Sequence, residues 1–354
     1  MAQKSLNLLL EKSLPFEIVR AETTLSKYPI HNLVKGKPTT IDIHTTDRQG
    51  RTIRWEVSAN QKYGFPGQLA YKLDTLVINR RIEEAGQPVP DIVALGSLRQ
   101  ICQRLGLSDS GKNKKNITHA LQQNALTGIT AWLQYKGKDK RERELKATFT
   151  RYSAIFTGQQ LPNGQTADGV YLILSQPYRE VLCHSPTRPL DYDYLKALTP
   201  TAQRFYEIIS YQIFAALKYQ HPYARLRYSD YCLYSAQRRY ENLSAARKQM
   251  YKVHQPHKAS GYLAEIQFEK GRDEQGLPDW LMAYRPGPKA QAEYEAFTRK
   301  SRVSEIDGMN PPLSASVETA ESTPEPMTEA ARSYQQGLLW DLVSQTVEAL
   351  PKIS

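Results

Sequence analysis

The strongest constraint on the fold is an order of hydrophobic patterns that occurs twice along the chain. In each copy, a long helix with an apolar stripe precedes a short helix, a polar helix and a pair of alternating strands. The long helix begins near residue 67 in the first copy and near residue 200 in the second, and the strand pairs begin near residues 129 and 262. The two intervals are equal, which indicates two copies of one supersecondary unit.

The first copy opens with a helix from Gly67 to about Ala85. A short helix from Leu98 to Leu105 follows, with Ser97 as its natural N-cap. The third helix, residues 112–126, turns four side chains inward: Ile117, Ala120, Leu121 and Asn124. Its outward side chains are basic or carry amides: Lys112, Lys115, His119, Gln122 and Gln123.

The second copy repeats this order with a long helix over residues 200–219 and a short helix near residues 230–240. Asn242 then caps a third helix that turns Leu243, Ala246, Met250 and Val253 inward. The outward side chains of this third helix are again polar or basic: Ser244, Lys248, Gln249, Lys252 and Gln255.

A β-hairpin closes each copy. In the first, residues 129–135 and 145–149 alternate around the basic tip 136–141, and in the second, residues 262–268 and 280–284 alternate around a glycine-containing turn. Helix, helix, polar helix and hairpin is the order of a winged helix. The sequence therefore predicts an α+β chain with two tandem winged-helix domains.

Four regions follow from these patterns. Residues 1–66 form an N-terminal extension with its own β-hairpin, whose strands run over residues 40–45 and 52–57. The first winged helix spans 67–188 and the second 189–290. Residues 291–354 form an acidic C-terminal tail that is partly disordered.

Charge is distributed unevenly along the 354 residues. The whole chain has 47 Lys and Arg against 36 Asp and Glu, a net charge of +11, but residues 291–354 hold only 5 basic and 10 acidic residues. The rest of the chain therefore carries +16. An excess of this size favours a polyanionic partner, and nucleic acid is the commonest one in the cytosol.

The predicted DNA contacts lie on the two third helices and the first hairpin. Base contacts are expected from the outward lysines and amides together with Ser244 and His119, and phosphate contacts from four further cations: Arg238, Arg239, Arg247 and Lys258. The tip residues Lys138, Lys140 and Arg141 should also hold phosphates. For any one of these residues, the alternative is a solvated surface charge.

Several stretches of the chain resemble one family. They are Tyr28-Pro-Ile-His-Asn-Leu33, Tyr63-Gly-Phe-Pro-Gly67, Arg238-Arg-Tyr-Glu-Asn-Leu243 and Ser260-Gly-Tyr-Leu-Ala-Glu-Ile266. These residues are similar to those of plasmid replication initiators of the tandem winged-helix type, the replication initiator protein A family. The resemblance implies a cytoplasmic bacterial protein that binds double-stranded DNA at origin repeats and helps to melt an AT-rich segment.

The resemblance also implies partners and a division of roles. Host replication proteins such as the initiator, helicase or sliding clamp would be recruited. The second winged helix would be the main reader of the repeats, while the first adds contacts or mediates homodimerisation.

Two other functions stay open. A winged-helix transcriptional repressor would carry the same patterns, and a rolling-circle nicking enzyme with a Tyr nucleophile is a third class. The pair His254 and His257 is typical of such enzymes only when an apolar residue on a buried strand separates the two, whereas Gln-Pro separates them here at what we expect to be a helix end, where histidines favour the helix dipole.

Other chemical motifs are weak. Gly106 to Lys112 matches the start of a phosphate-binding loop, but Asn113 stands where Mg²⁺ binding needs Ser or Thr. We interpret Asp191 and Asp193 as acidic residues in the first turn of a helix, where they favour the helix dipole, and not as a metal-binding pair. Three scattered cysteines, Cys102, Cys183 and Cys232, favour reduced core thiols. We expect no enzymatic activity, no cofactor and no metal site. The sequence has no run of about 18 apolar residues, so we also expect no membrane helix.

The tail has two parts. Residues 311–326 are rich in Pro, Ser, Thr and Glu and predict a disordered linker. Residues 328–350 predict an amphipathic helix, in which Gln336, Leu339 and Trp340 are similar to the anchors of short peptides that bind bacterial sliding clamps. The alternative for this helix is packing against its own chain.

Overall fold

The computed structural model describes residues 17–33, 40–46, 50–273 and 275–307, with side chains up to residue 298. Helices and antiparallel sheets alternate along these ranges, as the predicted mixed class requires, and every strand pair in them is antiparallel. None of the helices in this part of the chain is long and apolar enough to cross a membrane.

The elements up to residue 184, apart from the first strand, whose Val19 and Ala21 pack in the second core, build the first core. In chain order, the elements up to this residue are β1 (Ile18–Glu22), β2 (Thr40–Thr46), β3 (Thr52–Ser58), α1 (Gln68–Leu73), a π-helical turn (Asp74–Ile78), α2 (Asn79–Ala85), β4 (Ile92–Gly96), α3 (Leu98–Arg104), α4 (Gly111–Ala125), β5 (Gly128–Lys136), β6 (Glu142–Phe149), β7 (Tyr152–Ile155), β8 (Val170–Leu174) and α5 (Gln176–His184).

The elements after residue 184 build the second core. They are β9 (Thr187–Asp191), α6 (Tyr192–Ala197), α7 (Pro200–Lys218), β10 (Ala224–Arg227), α8 (Tyr228–Tyr234), α9 (Leu243–Ala259), β11 (Leu263–Arg272), β12 (Pro278–Pro286) and α10 (Pro288–Asp307).

The helices predicted for the first copy are confirmed. Ser97 caps α3 through a capping box with Gln100, and Gly106 ends the turn after it with a φ of 67°, a conformation that glycine adopts without strain. The inward side chains of α4 are buried as predicted. The long first helix differs in one respect, since its middle turn is π-helical around the buried Asp74.

The N-terminal hairpin and the first predicted hairpin form one sheet, in the order β2-β3-β5-β6. Trp55 of β3 lies opposite Ala131 of β5, is fully buried, and donates a hydrogen bond from Nε1 to the Pro29 carbonyl at 2.9 Å. Tyr28 stacks on Trp55 with ring centroids 5.0 Å apart. Residues on both sides of position 66 therefore share a single core.

Strand β4 joins neither hairpin. It pairs with β8 in a separate three-stranded sheet of order β4-β8-β7, whereas its counterpart in the second copy, β10, pairs with the hairpin strand β12. The two copies thus share their helix order but not their sheet topology.

Two helix boundaries in the second copy differ from the prediction. Helix α8 ends at Tyr234 rather than near residue 240, because Ala236 takes a left-handed φ of 48°. Helix α9 continues past His254 and through Pro256 to Ala259. His257 therefore lies in the last turn of α9, as expected, His254 lies one turn before it, and both are buried.

The tail begins with a helix rather than a linker. Helix α10 starts at Pro288 and buries Ala290, Glu293 and Ala296, while Tyr294 packs edge-on against Phe214 of α7 at 4.9 Å. The predicted linker 311–326 and terminal helix 328–350, with Gln336, Leu339 and Trp340, lie outside the described residues.

Contacts join the two cores directly. Strand β1 pairs with β9, Leu76 belongs to the second core, and the Tyr192 hydroxyl donates to the Leu76 carbonyl at 3.1 Å. The Arg204 guanidinium donates to the Ser26 and Lys27 carbonyls, both at 2.7 Å, and to the Tyr234 carbonyl. One buried arginine therefore ties the segment after β1 to helices α7 and α8.

Candidate nucleic-acid interface

Helix α9 presents a polar outer face that is wholly free of acidic residues. No Asp or Glu occurs between Glu241 and Glu265. The exposed side chains of this face are Ser244, Arg247, Lys248, Tyr251, Lys252, Gln255 and Lys258. Asn242 caps the helix by accepting a hydrogen bond from the Ser244 backbone N–H at 2.8 Å. The face therefore combines four cations with a helix N-terminus that has no acidic residue in its first turn.

Two buried histidines fix the inner face of α9. His257 Nε2 donates to the Ala202 carbonyl at 3.1 Å, so its Nδ1 accepts from the Tyr194 hydroxyl at 2.7 Å. His254 Nε2 lies 3.0 Å from the Tyr284 hydroxyl. Burial lowers the pKa of His254 to about 3 and that of His257 to about 4. Both rings are therefore neutral at physiological pH and pack as core residues.

Two residues predicted to contact DNA, Gln249 and Arg239, are half-buried and make hydrogen bonds within the fold. The Gln249 amide accepts from the Tyr228 hydroxyl and donates to Gln237 Oε1 at 3.0 Å and to the Arg238 carbonyl at 3.1 Å. Arg239 donates to Asp273 Oδ2 and to the Pro278 carbonyl, both at 2.6 Å. Together these bonds attach the loop before α9 to the helix and to the hairpin.

Arg238, unlike the half-buried Arg239, is exposed. Its side chain lies over the Tyr240 ring, with the guanidinium carbon 5.4 Å from the centroid. Similarly, Arg247 lies 5.3 Å over the Phe268 ring of β11. Stacking restricts both cations without neutralising them.

The β11–β12 hairpin carries two exposed cations that sequence reasoning missed, Lys270 and Arg272. Arg272 also donates to the Gly276 carbonyl at 2.6 Å. The signal was available, since this hairpin follows a polar helix as the first one does, but its acidic neighbours Glu269 and Asp273 masked the basic character of the tip.

Helix α4 provides a second, smaller outer face. Lys112, Lys115 and His119 are exposed and Gln122 is half-buried. Gln123, expected to point outward, donates instead to the Tyr63 and Phe65 carbonyls, at 2.9 and 3.1 Å. As in the second copy, the sequence holds no acid over a long stretch, here between Asp109 and Asp139.

The tip of the first hairpin is anchored to helix α5. The Lys138 backbone N–H donates to the His184 carbonyl at 2.8 Å, and Arg143 bridges Asp139 Oδ2 at 2.7 Å and His184 Nδ1 at 3.2 Å. The side chains of Lys138, Lys140 and Arg141 are exposed. The basic tip is thus fixed in place by its backbone while its cations face solvent.

A buried polar network supports α4 from behind. Asp74 Oδ2 lies 2.6 Å from Arg151 Nη2 and 3.0 Å from His31 Nε2, and Asp74 Oδ1 accepts from the Tyr152 hydroxyl at 2.9 Å. Asn124 of α4 donates to the same Oδ1 at 3.2 Å. Burial alone would raise the pKa of Asp74, but Arg151 and His31 bring that pKa below its usual range. The carboxylate therefore remains ionised and fixes α4 against α1.

The weaker motifs have structural roles. In the glycine-containing stretch before α4, Ser110 caps the helix by accepting from the Asn113 N–H at 3.2 Å, and this stretch follows helix α3 rather than a strand. Asp191 caps α6 and pairs with Lys289 at 2.6 Å. Within the described ranges, no three His, Cys, Asp or Glu side chains are grouped to hold a metal ion.

Comparison with known proteins yields a distant structural likeness. No family model matches the chain, and no curated protein matches it. A crystal structure of a selenomethionine derivative of RctB domains 2 and 3 is similar with a TM-score of 0.40 and 11% sequence identity, over 74% of this chain and 96% of that chain. A second crystal structure of RctB domains 2–3 gives 0.38 and 10%, over 75% and 98%. The functional case therefore depends on the side chains described above.

Proposed function

We propose that this chain is a sequence-specific, double-stranded DNA-binding protein that initiates plasmid replication, with two tandem winged-helix units. The observation that carries the proposal is the acid-free outer face of α9, where Arg247, Lys248, Lys252 and Lys258 surround side chains able to contact base edges. The basic part of the chain, at +16 over residues 1–290, agrees with a polyanionic partner.

The two units would contribute unequally. The second unit has its hairpin in a three-stranded sheet with β10, and the hairpin tip carries Lys270 and Arg272. In the first unit, β2 and β3 extend the sheet beside β5, and the tip is bonded to α5. These differences support a reading role for α9 and a supporting role for α4 and its hairpin.

The proposed activity is assembly on DNA and distortion of the duplex, without catalysis. The His254 and His257 rings are buried, and the Tyr284 hydroxyl, the Tyr194 hydroxyl and the Ala202 carbonyl already bond to their ring nitrogens, which leaves them unsuited to bind a metal ion at the surface. In this proposal, recruitment of host initiator, helicase or sliding clamp falls to surfaces outside the two DNA-facing helices.

One pair of experiments tests the function. The full chain is incubated with supercoiled plasmid carrying the DNA next to its own gene, and binding is mapped by footprinting. Protection of tandem repeats beside an AT-rich tract, with no covalent 5′-linked protein in the presence of Mg²⁺, supports an initiator. Protection of a lone palindrome would favour a repressor, and a 5′-linked product would favour a nicking enzyme.

A replication assay completes the test. A plasmid that carries the repeats but lacks the gene should replicate only when the chain is supplied in trans. Replication without the chain would overturn the proposed function.

A further inference from the structure

Tyr251 is the most exposed of the large hydrophobic side chains in the described part of the chain, at 64% of its surface. It lies on α9, among residues that are otherwise charged or polar. An aromatic ring left in water forgoes the free energy that its burial would provide. Tyrosine combines a large rigid apolar surface with a polar tip, which suits a surface that a partner covers.

Tyr251 lies at the centre of the outer face of α9. The outer stripe of α9 follows the alternating spacing of four and three residues that keeps side chains on one line of a helix. Its members are Ser244, Lys248, Tyr251, Gln255 and Lys258, all exposed. Tyr251 is the central residue of the five, with Arg247 one turn before it.

A helix that lies in the major groove directs side chains of its outer stripe at the base edges, while other cations reach the phosphates. Of the groups that bases present in this groove, the C5-methyl of thymine is the apolar one. A tyrosine ring at the centre of the stripe is complementary to that methyl group.

We infer that Tyr251 is a specificity-determining residue that packs its ring against the C5-methyl group of a thymine in the DNA site. This role rests on the proposed DNA-binding function and adds the base class that α9 reads. In this inference Arg247 and Lys248, both about one turn before Tyr251 on the helix, hold the DNA backbone and set the register in which the ring meets the thymine.

The test compares thymine with deoxyuridine, which differs only by the missing methyl group. Sites are first selected from random duplex DNA with the full chain, and each thymine in the selected site is then replaced in turn. Wild-type protein should lose about fourfold in affinity at one thymine position per bound copy of the site, the equivalent of one buried methyl group. Tyr251→Ala should bind both duplexes equally at that position.

Two variants serve as controls. Tyr251→Phe keeps the ring and should retain the discrimination, whereas loss of discrimination in this variant would mean that the hydroxyl is the reader and would overturn the methyl contact. Trp132→Ala removes another exposed aromatic, on the sheet of the first unit, and should leave the discrimination unchanged.

The possible outcomes distinguish a failure of the inferred role of Tyr251 from a failure of the proposed DNA-binding function. If selection enriches no sequence, the DNA-binding proposal fails and the role of Tyr251 fails with it. If a site is enriched and a folded Tyr251→Ala protein still distinguishes thymine from deoxyuridine, the role of Tyr251 alone is overturned.

Discussion

The Nε2 atom of His31 lies 3.0 Å from the Oδ1 atom of Asn124, which joins the segment after β1 to the inner face of α4. The two residues are 93 positions apart in the chain, and both are buried. Asn124 also donates to the Ala70 carbonyl at 2.9 Å. The position of α4 thus depends on a polar contact with a residue that lies outside this helix.

Replacing Asn124 with Ala should destabilise the first unit. The Ala70 carbonyl would lose its side-chain donor, and His31 would lose one of its two acceptors and keep only Asp74, at a cost of about 1–3 kcal/mol in the free energy of unfolding. Asn116→Ala, an exposed site on the same helix, is the matched control and should change stability by less than about 0.5 kcal/mol. Urea denaturation measures both, and equal stability of the two variants would contradict the role of the network.

Lys248→Ala and Lys252→Ala should weaken DNA binding in ways that identify their contacts. Loss of a base contact should cost about 1–3 kcal/mol of binding free energy at the specific site alone. Loss of a phosphate contact should reduce the slope of log affinity against log salt concentration by about 1. Titrations at several salt concentrations distinguish the two. Lys196→Ala, exposed on α6, is the control. Unchanged binding by the Lys248/Lys252 double variant would exclude α9 as the reader.

Neutralising Lys138, Lys140 and Arg141 should weaken specific and non-specific DNA binding to a similar extent. Phosphate contacts position a protein without reading sequence, and the tip is already fixed to α5 through His184. Competition between a selected site and random duplex gives the ratio of affinities. A loss confined to the selected site would show that the tip reads bases.

Stability should fall as pH rises through neutrality because of Glu293. Burial raises the pKa of Glu293 to about 7, although the Tyr206 hydroxyl, which donates to it at 2.9 Å, and Lys289 act in the opposite direction. A folded-state pKa above the unfolded value means that the contribution to stability is complete below about pH 4.5 and is lost as pH rises through about 7.

Glu293→Gln should remove this dependence, since the amide is neutral throughout. The free energy of unfolding of the wild type should decline relative to the variant between about pH 5 and pH 8. Chemical denaturation at a series of pH values supplies the comparison. Parallel curves would show that Glu293 does not titrate with folding.

Removing residues 308–354, which lie beyond α10, should leave binding to origin repeats intact or strengthen it, because the deleted part is acidic. If residues 336–340 bind a sliding clamp, Leu339→Ala with Trp340→Ala should abolish clamp capture without changing the melting temperature. If the helix packs on its own chain, the same change should lower the melting temperature. A stable variant that still captures the clamp would refute the partner prediction.

The sequence alone predicted the elements whose periodicity is long and regular. Helices α3, α4, α7 and α9 and all three hairpins lie where the apolar spacing put them, because each buries one continuous stripe or face. Strands β4, β7 and β9 were not predicted. Each has only four or five residues, and none is joined to its pairing partner by a tight turn that would mark a hairpin in the sequence.

The candidate site was partly predictable for a related reason. Exposure of Lys112, Lys115, Lys248 and Lys252 follows from helical spacing. The hydrogen bonds of Gln249 and Arg239 depend on Tyr228 of α8 and Asp273 of the hairpin tip, which the tertiary fold and not the local spacing brings near. Tyr251 was overlooked because an aromatic side chain on a helix is usually buried, and only the structure shows that this one lies on the outer line.

The arginine at position 204 has a consequence for the DNA that such a protein can accept. Its bonds to Ser26, Lys27 and Tyr234, with the β1–β9 ladder beside them, make the junction between the units a rigid joint rather than a tether. Helices α4 and α9 are then held at one fixed separation. If α4 and α9 contact DNA as proposed, the protein fixes the distance between the two DNA segments, and its binding sites can vary in sequence more freely than in spacing.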